Sequence, residues 1–194
     1  RDTKFTILAG DIVNHLRAPD VIALQEIQDA DGAGNGANLS GYVTAQALID
    51  AISAIGGPGY KYIEVTPSAA GQTGGEPGGN IRNGFLYNTG RVDYVDGSAE
   101  LVTGAAFNNS RNPLAATFEF NGEEVTAISV HSSSRGGSDP LFGAIQPPIN
   151  GAEAARIAQS EAIRGYVQNV IGEDAEARIA VVGDFNGFYF EQSL

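Results

Sequence analysis

The sequence predicts an α/β fold in which two packed β-sheets carry helices on their outer sides. Three observations support this prediction: helix-periodic segments mix with short apolar runs, Asn121-Gly122 separates two strand-like segments, and a last apolar run ends at Gly183-Asp184. An Asn-Gly pair between two alternating segments is the strongest short-range signal of an antiparallel hairpin. Because at least one hairpin is mixed with helices, two packed sheets fit better than a doubly wound parallel sheet.

The individual elements follow from the spacing of apolar residues. Apolar residues between Phe5 and Leu16 recur at helical spacing and predict an opening amphipathic helix, which ends before Pro19 because proline cannot continue the hydrogen-bond ladder. Short apolar or alternating runs predict strands, and glycine-rich stretches at 31–41, 56–59 and 71–84 predict loops. The other predicted elements are strands at 21–27, 60–66, 83–88, 92–95, 115–120, 124–131 and 178–183, and helices at 42–55 and 151–171.

The last predicted helix has a predicted inner face. Its apolar residues fall at a spacing that would place them on the side facing the sheet. These residues are Ala155, Ile157, Ala158, Ala162, Val167 and Ile171.

The composition describes an acidic chain with the length of one domain. A chain of 194 residues with 42% hydrophobic residues is long enough to bury a core and too apolar to be disordered throughout. Eleven Lys and Arg against 23 Asp and Glu give a formal charge of −12, which argues against a broad basic surface for nucleic acid. A metal-dependent phosphodiesterase escapes this objection, since the cation in its acidic pocket meets the phosphate.

Other absences narrow the class of protein. The chain has no Cys, so disulfide and thiol chemistry are excluded. No stretch reaches the ~18 apolar residues of a membrane span, and no signal-peptide pattern is present. The first residue is not Met, so we expect a processed chain or a piece of a longer one.

A group of polar residues follows or opens the predicted strands, and their types suit phosphodiester hydrolysis. That reaction needs charge neutralised on the non-bridging oxygens, a positioned water and a proton for the leaving oxygen. The residues of this group are Glu26, Arg111, His131, Asp184 and Asn186.

Glu26 is the predicted metal ligand. It ends an apolar strand, where a carboxylate is costly unless it is paired or bound to a metal. A carboxylate with water suits Mg²⁺, and Mn²⁺ or Ca²⁺ are the alternatives. The competing interpretation is an ordinary surface glutamate at a strand end.

His131, Asp184 and Asn186 are the predicted catalytic residues. His131 would contact phosphate or act as a general acid, Asp184 would orient or deprotonate water, and Asn186 would donate to a phosphate oxygen. The alternatives are a hydrogen-bonded strand-end histidine and an Asx turn beside glycine. A serine nucleophile among Ser132 to Ser134 is rejected, because no GxSxG elbow accompanies it.

Arg111, Arg82 and Asn83 are the predicted phosphate-binding residues. The planar fork of an arginine matches the geometry of phosphate. Arg111 precedes Asn112-Pro113 and a strand, and the pair Arg82-Asn83 opens another strand in a similar way. The alternative for Arg111 is a solvated loop arginine.

At these residues the sequence resembles the endonuclease/exonuclease/phosphatase superfamily, the fold of deoxyribonuclease I. The matching segments keep the family's order and approximate spacing across most of the chain; they are residues 19–26, 82–92, 110–118, 127–131 and 181–186. The segment from His131 to Gly137, with Phe142-Gly143 and Gln146-Pro147-Pro148, resembles bacterial secreted nucleases. A lysine is more usual in that subgroup where Arg135 stands.

The resemblance implies a fold, a site and a location. The fold is a four-layer α/β sandwich with two mixed sheets face to face and helices outside, formed by one domain over residues 1–194. Glu26 would hold the metal, His131, Asp184 and Asn186 would act in catalysis, and Arg111 would hold phosphate. Arg82 or Asn83 would border the substrate groove, and the protein would be secreted and bacterial.

The sequence also departs from the family pattern. The family's first strand, which ends in a metal-site Asn, is lacking, as are a further Asp and a final Asp-His pair. We therefore expect a segment of a longer chain.

Three functions remain open. The first is a metal-dependent nuclease of DNA or RNA. The second is a phosphoesterase of the same fold that acts on phospholipid or inositol phosphate, which the acidic charge favours because a small substrate needs no basic groove. The third is a catalytically incomplete binding module. The oligomeric state is not predicted.

Overall fold

Two β-sheets face each other at the centre of the folded domain, and helices cover their outer sides. The computed structural model describes residues 4–32, 36–72 and 80–194. The three helices are α1 (Lys4–Gly10), α2 (Tyr42–Ala54) and α3 (Glu153–Glu173), and α1 continues into a π-helical turn at Asp11–His15. None of the helices in these ranges is long and apolar enough to cross a bilayer.

Eight strands build the sheets within the described ranges. They are β1 (Val21–Gln28), β2 (Tyr60–Ile63), β3 (Ile81–Asn88), β4 (Asp93–Tyr94), β5 (Glu100–Leu101), β6 (Leu114–Phe120), β7 (Glu123–His131) and β8 (Ile179–Asp184). The first sheet has the order β1-β3-β2 and is antiparallel throughout the described residues. The second has the order β4-β6-β7-β8, with β5 also paired to β6, and it is mixed because β7 and β8 run parallel.

Three apolar clusters separate four layers. Ile52 and Leu86 belong to the cluster between the first two helices and the first sheet. Phe85 and Phe118 meet edge to face in the cluster between the two sheets, with ring centroids 5.5 Å apart. Ile128 and Ile163 belong to the cluster between the second sheet and α3. The layers are thus helix, sheet, sheet and helix, which confirms the predicted sandwich.

The predicted hairpin joins β6 to β7. Asn121 and Gly122 have φ angles of 53° and 78°, and Phe120 pairs with Glu123 across the turn. Positive φ at both central residues is the requirement of the type I′ turn, which matches the twist of the flanking strands. Because the turn fixes the register, it determines which residues stand side by side at the far end of this hairpin.

The predicted inner face of α3 is correct only in part. Ala162 and Val167 pack against the apolar cluster between the second sheet and α3, and Ile157 is half-buried. Ala155 and Ala158 are exposed, and Ile171 is 46% exposed. The buried residues are Arg156, Gln159 and Ile163. The reason is that the polar loop 132–151 packs on the first turns of α3 and gives buried polar side chains hydrogen-bond partners, so the apolar pattern alone does not mark the inner face.

Candidate active site

The parallel pairing of β7 with β8 places His131 beside Asp184. The two residues are register partners at the carboxyl ends of their strands. Nε2 of His131 lies 3.9 Å from Oδ2 of Asp184, which is too long for a hydrogen bond. The His131 side chain is only 7% exposed, while that of Asp184 is 55% exposed. One end of this pair is therefore enclosed by protein and the other faces solvent.

Gly183 permits this close approach of the two strand ends. Its φ angle is 139°, and a Cβ atom there would come within 2.1 Å of the Val130 carbonyl oxygen. A side chain would have to push β8 away from β7. The glycine before Asp184 is thus a packing requirement of the site.

Glu26 reaches the site through a β-bulge in β1. Leu24 pairs with Gly84 and Ile27 with Arg82, so Gln25 and Glu26 both lie opposite the single residue Asn83. A bulge inserts one residue and turns the side chains at that point. Glu26 has a φ angle of 59°, an uncommon conformation for a residue other than glycine, and its side chain is exposed. The strand continues to Gln28, so Glu26 does not end it as predicted.

Arg111 interacts electrostatically with the carboxylates of Glu26 and Asp184 and with His131. Its Nη2 donates to the Ser132 carbonyl oxygen at 2.9 Å, and its side chain is half-buried. It is therefore not a solvated loop arginine. Burial lowers the pKa of Arg111, and the carboxylates of Glu26 and Asp184 oppose that shift.

His131 is influenced by the same groups. Burial, and then the guanidinium of Arg111, lower the pKa of His131 below its ordinary value, while Asp184 and Glu26 oppose the change. These four side chains act on each other electrostatically, so the structure brings together four of the five residues that sequence analysis grouped.

Asn186 joins this group through the backbone of Ser132. Its Nδ2 donates to the Ser132 carbonyl oxygen at 3.0 Å, the same acceptor that Arg111 uses. The Ser132 amide in turn donates to the Asp184 carbonyl oxygen at 2.9 Å. Ser132, the common acceptor, was not among the predicted site residues, and its only signal in the sequence is its position next to His131.

Asp184 and Asn186 also form the Asx turn that was the alternative interpretation. The Asn186 amide donates to Oδ1 of Asp184 at 2.8 Å, and Asn186 has a φ angle of 50°. The turn occupies one carboxylate oxygen and leaves Oδ2 toward His131. A turn and a catalytic role are therefore compatible here.

Asn83 and Arg82 differ in their placement. Nδ2 of Asn83 donates to the Asn112 carbonyl oxygen at 2.9 Å, which ties β3 to the loop that carries Arg111. Nη1 of Arg82 lies 3.0 Å from Oε2 of Glu64, and both side chains are buried. The charge of Arg82 is thus matched by Glu64, and its phosphate-binding role, like that of Asn83, stays a prediction.

Several buried polar atoms of the site have no hydrogen-bond partner among the described residues. They are Nε of Arg111, Nδ1 of His131, Oγ of Ser132 and Oδ1 of Asn83. A buried polar atom without a partner costs roughly 1–3 kcal/mol. A polar ligand that reached one of these atoms and hydrogen-bonded to it would recover part of that cost.

The donor set suits a hydrated hard cation better than a fully enclosed metal. Within the described ranges no group of three or more His, Asp and Glu side chains could hold a metal ion. Mg²⁺ keeps several waters and takes one or two carboxylates, so Glu26 suffices as an anchor. The unpartnered Oδ1 of Asn83, opposite Glu26 across the bulge, is a second oxygen of the right type.

Solved structures with the same fold cover nearly all of this chain. The catalytic domain of human Nocturnin with bound sulfate is 18% identical, with a TM-score of 0.60, over 98% of this chain and 58% of that one. An endonuclease/exonuclease/phosphatase family protein from Bacteroides thetaiotaomicron is 14% identical, with a TM-score of 0.60, over 98% and 56%. D. rerio TDP2 complexed with a single-strand DNA product is 19% identical, with a TM-score of 0.53, over 96% and 55%.

These similarities concern the fold. The chain spans little more than half the length of each of these three structures. No protein-family model matches the sequence, and no curated protein matches it.

Proposed function

We propose that this chain, which has the endonuclease/exonuclease/phosphatase fold, is a metal-dependent phosphodiester hydrolase that cleaves nucleic acid. One observation carries the proposal: the ends of β7 and β8 hold His131 beside Asp184, with Arg111 and the bulged Glu26 close enough to shift the pKa of His131. These groups supply a cation for phosphate, a carboxylate for water and an imidazole for proton transfer.

Arg111 would bind the scissile phosphate. One of its terminal nitrogens is fixed by the Ser132 carbonyl oxygen, and its Nε has no partner among the described residues. A guanidinium held at one corner presents its remaining N–H groups in a fixed direction, which suits a tetrahedral anion. Asn186 uses one amide N–H for Ser132 and keeps the other for a phosphate oxygen.

Asp184 and His131 would divide the proton transfers. The carboxylate of Asp184 is more than half exposed, so a water molecule can reach it and be oriented for attack. Because the pKa of His131 lies below its ordinary value, the ring is neutral at pH 7 and donates one N–H to the phosphate or the leaving oxygen. Binding of an anionic phosphate favours protonation of the ring, which prepares it to act as an acid.

Glu26 would hold the divalent cation, with Asn83 as the neighbouring oxygen donor. When bound, such a cation neutralises charge on the phosphate. Mg²⁺ is the preferred ion for a site of one carboxylate and water.

One further point favours nucleic acid as the substrate, and a second favours export as the location. The D. rerio TDP2 structure of the same fold is complexed with a single-strand DNA product. The segment from His131 to Gly137 resembles bacterial secreted nucleases. We extend the proposal to a secreted nuclease on this basis.

The test is hydrolysis of plasmid DNA and of bis(4-nitrophenyl) phosphate with Mg²⁺, repeated with excess EDTA and with Asp184→Ala. We expect both treatments to abolish turnover. The matched control is Asp50→Ala, which removes an exposed carboxylate from α2 and should leave turnover unchanged. Hydrolysis that survives EDTA or the loss of Asp184 would contradict the proposal.

The net charge favours a second candidate on the same site. A chain with 23 acidic and 11 basic residues repels a polymeric phosphate more than a small one. An inositol phosphate or a phospholipid head group would then be the substrate. Turnover of these compounds in the absence of DNA cleavage would decide for this candidate.

A further inference from the structure

Three consecutive aromatic residues are exposed shortly after the end of β8. Phe188 is 41% exposed, Tyr189 90% and Phe190 57%. They follow Asn186 closely, and n residues of extended chain span at most about 3.6 Å × n. The Cα atoms of Phe188 and Phe190 therefore lie within roughly 7 and 14 Å of that of Asn186.

These rings are held by neighbours. The guanidinium of Arg135 lies 4.5 Å from the ring centroid of Phe188. Phe188 and Phe190 stack with centroids 5.3 Å apart and planes 14° apart, and Tyr189 meets Phe190 edge to face at 5.4 Å. Phe188 therefore covers one face of Phe190, while most of the Tyr189 surface and more than half of the Phe190 surface remain exposed.

The chain after the rings is anchored in the protein. Glu191 is buried and forms ion pairs with Arg135 and with Arg156, the latter at 3.5 Å. Oγ of Ser160 on α3 donates to the Ser193 carbonyl oxygen at 2.5 Å. The aromatic segment is thus fixed on both sides, so its rings can bind a flat partner without first being ordered.

The charge of the chain indicates what kind of partner this is. With a formal charge of −12, affinity for nucleic acid cannot come mainly from phosphate contacts. Stacking of a base on an aromatic ring contributes ~1–3 kcal/mol per base and does not depend on base sequence. Phe190 also lines an open cleft of about 410 Å³ whose charged residues are Arg135, Asp139, Glu153 and Glu191. Because three carboxylates outnumber one guanidinium, the cleft disfavours a phosphate.

We infer that Tyr189 and Phe190 form a stacking platform for unpaired bases next to the scissile phosphate, which selects single-stranded nucleic acid. The inference rests on the proposed function, because it assigns a substrate class to the same site. Bases of a duplex have their faces covered by neighbouring pairs, so only a single strand offers a free face to the platform.

The test compares binding of three fluorescein-labelled probes by anisotropy in EDTA, which stops hydrolysis. The probes are the single strand dT12, a 12-mer with the same phosphates and abasic sugars, and the duplex of dT12 with dA12. We expect dT12 to bind on the order of ten-fold more tightly than the other two. The double variant Tyr189→Leu/Phe190→Leu keeps apolar side chains and should lose this preference while its affinity for the abasic strand stays the same.

The matched control is Phe120→Leu. Phe120 is 44% exposed and lies at the turn of the β6–β7 hairpin, eight residues of strand, or roughly 27 Å, from His131. This variant should keep the preference for dT12. Equal binding of dT12 and the abasic strand by the unchanged protein would overturn the inference, as would an equal effect of Phe120→Leu. Loss of binding to vesicles of phosphatidylserine and phosphatidylcholine in the double variant, with no preference for dT12, would instead identify a membrane-facing surface.

Hydrolysis of bis(4-nitrophenyl) phosphate, which has no nucleobase, separates the two proposals. If the protein hydrolyses it with Mg²⁺ but shows no preference for dT12, the platform is rejected and the proposed function stands. If dT12 is preferred but no phosphodiester is hydrolysed, the platform stands as a binding surface and the catalytic proposal fails.

Discussion

His131 is buried among opposing charges, and this is the feature on which the proposed chemistry depends most. Its ring is 7% exposed; burial and then Arg111 lower its pKa, and the carboxylates of Asp184 and Glu26 oppose that effect. A nearby anion favours the protonated form of such a histidine, so the proposed mechanism assigns proton transfer to this ring.

Replacing His131 by Ala should therefore reduce turnover on the order of 10²-fold or more, the usual contribution of a proton-transferring group. The measurement is kcat for bis(4-nitrophenyl) phosphate, with circular dichroism to check the fold. His15→Ala is the control, since His15 is exposed on the first helical segment and contacts Asp11. A His131 variant with near-normal kcat would remove this residue from the mechanism.

The lowered pKa of His131 also predicts how stability depends on pH. The unfolded chain binds a proton at His131 near its ordinary pKa of ~6.5, whereas the folded chain binds it only at lower pH. Unfolded protein thus carries more protons in this window, so the free energy of unfolding falls as pH decreases below about 6.5. Urea unfolding between pH 7 and about 5.5 should show this slope, and His131→Gln should flatten it. An equal slope in both proteins would mean that His131 does not titrate as described.

At the scale of elements, α3 organises the loop that carries the site. Arg156 is fully buried, and its Nη1 donates to the Gly151 carbonyl oxygen at 2.8 Å and its Nη2 to Oδ1 of Asn150 at 2.7 Å. Oε1 of Gln159 accepts from the Ser133 amide at 2.9 Å. The loop after His131 is therefore tied to the helix at both of its ends.

Arg156→Ala should destabilise the protein by about 3–5 kcal/mol, because it removes a buried cation and leaves Glu191 and the carbonyl oxygens of Gly151 and Ser133 less well paired. Arg164→Ala, on the exposed side of the same helix, should change stability by no more than ~0.5 kcal/mol. Chemical denaturation of both variants gives the comparison. Similar values for the two would show that the buried ion pair contributes little.

Local signals explain which elements the sequence predicted well. The turn at Asn121-Gly122 and the strands beside it were predicted nearly to the residue, since the signal and the structure lie within the same few residues. The strand predicted at 60–66 ends at Ile63, because Glu64 turns to pair with Arg82 of β3. Because that pairing connects residues in different segments of the chain, no periodic pattern in the sequence indicates it.

The candidate site also combines features that have a local sequence signal with features that depend on contacts between distant segments. His131 and Asp184 could be predicted as strand-end residues from the apolar runs before them. The bulge that turns Glu26 depends on the register between β1 and β3, and the buried polar face of α3 depends on a loop that packs against it. Neither is encoded in one segment, so neither could be predicted from local patterns.

At the scale of the molecule, the packing of two sheets gathers residues that lie far apart in sequence. Nε2 of Gln25 in the first sheet donates to Oγ of Ser129 in the second at 3.1 Å, close to where both Glu26 and His131 stand. This contact holds the bulge of one sheet against the strand end of the other. The metal-binding and proton-transferring halves of the proposed site thus come from different layers and depend on the sandwich as a whole.

Mg²⁺ could stabilise this chain in two ways: by binding at Glu26, and by screening the acidic charge of the whole molecule. If Mg²⁺ binds at Glu26 as proposed, it would stabilise the folded state by RT ln(1 + [Mg²⁺]/Kd), so Tm should rise with the logarithm of Mg²⁺ concentration above Kd. A chain with a charge of −12 is also stabilised by screening, which NaCl at equal ionic strength reproduces. Glu26→Gln should lose the part of the shift that exceeds the NaCl value. Glu124→Gln, an exposed carboxylate near the hairpin turn, should keep it. A full Mg²⁺ shift in Glu26→Gln, or none beyond that of NaCl in the unchanged protein, would exclude Glu26 as the anchor of the metal.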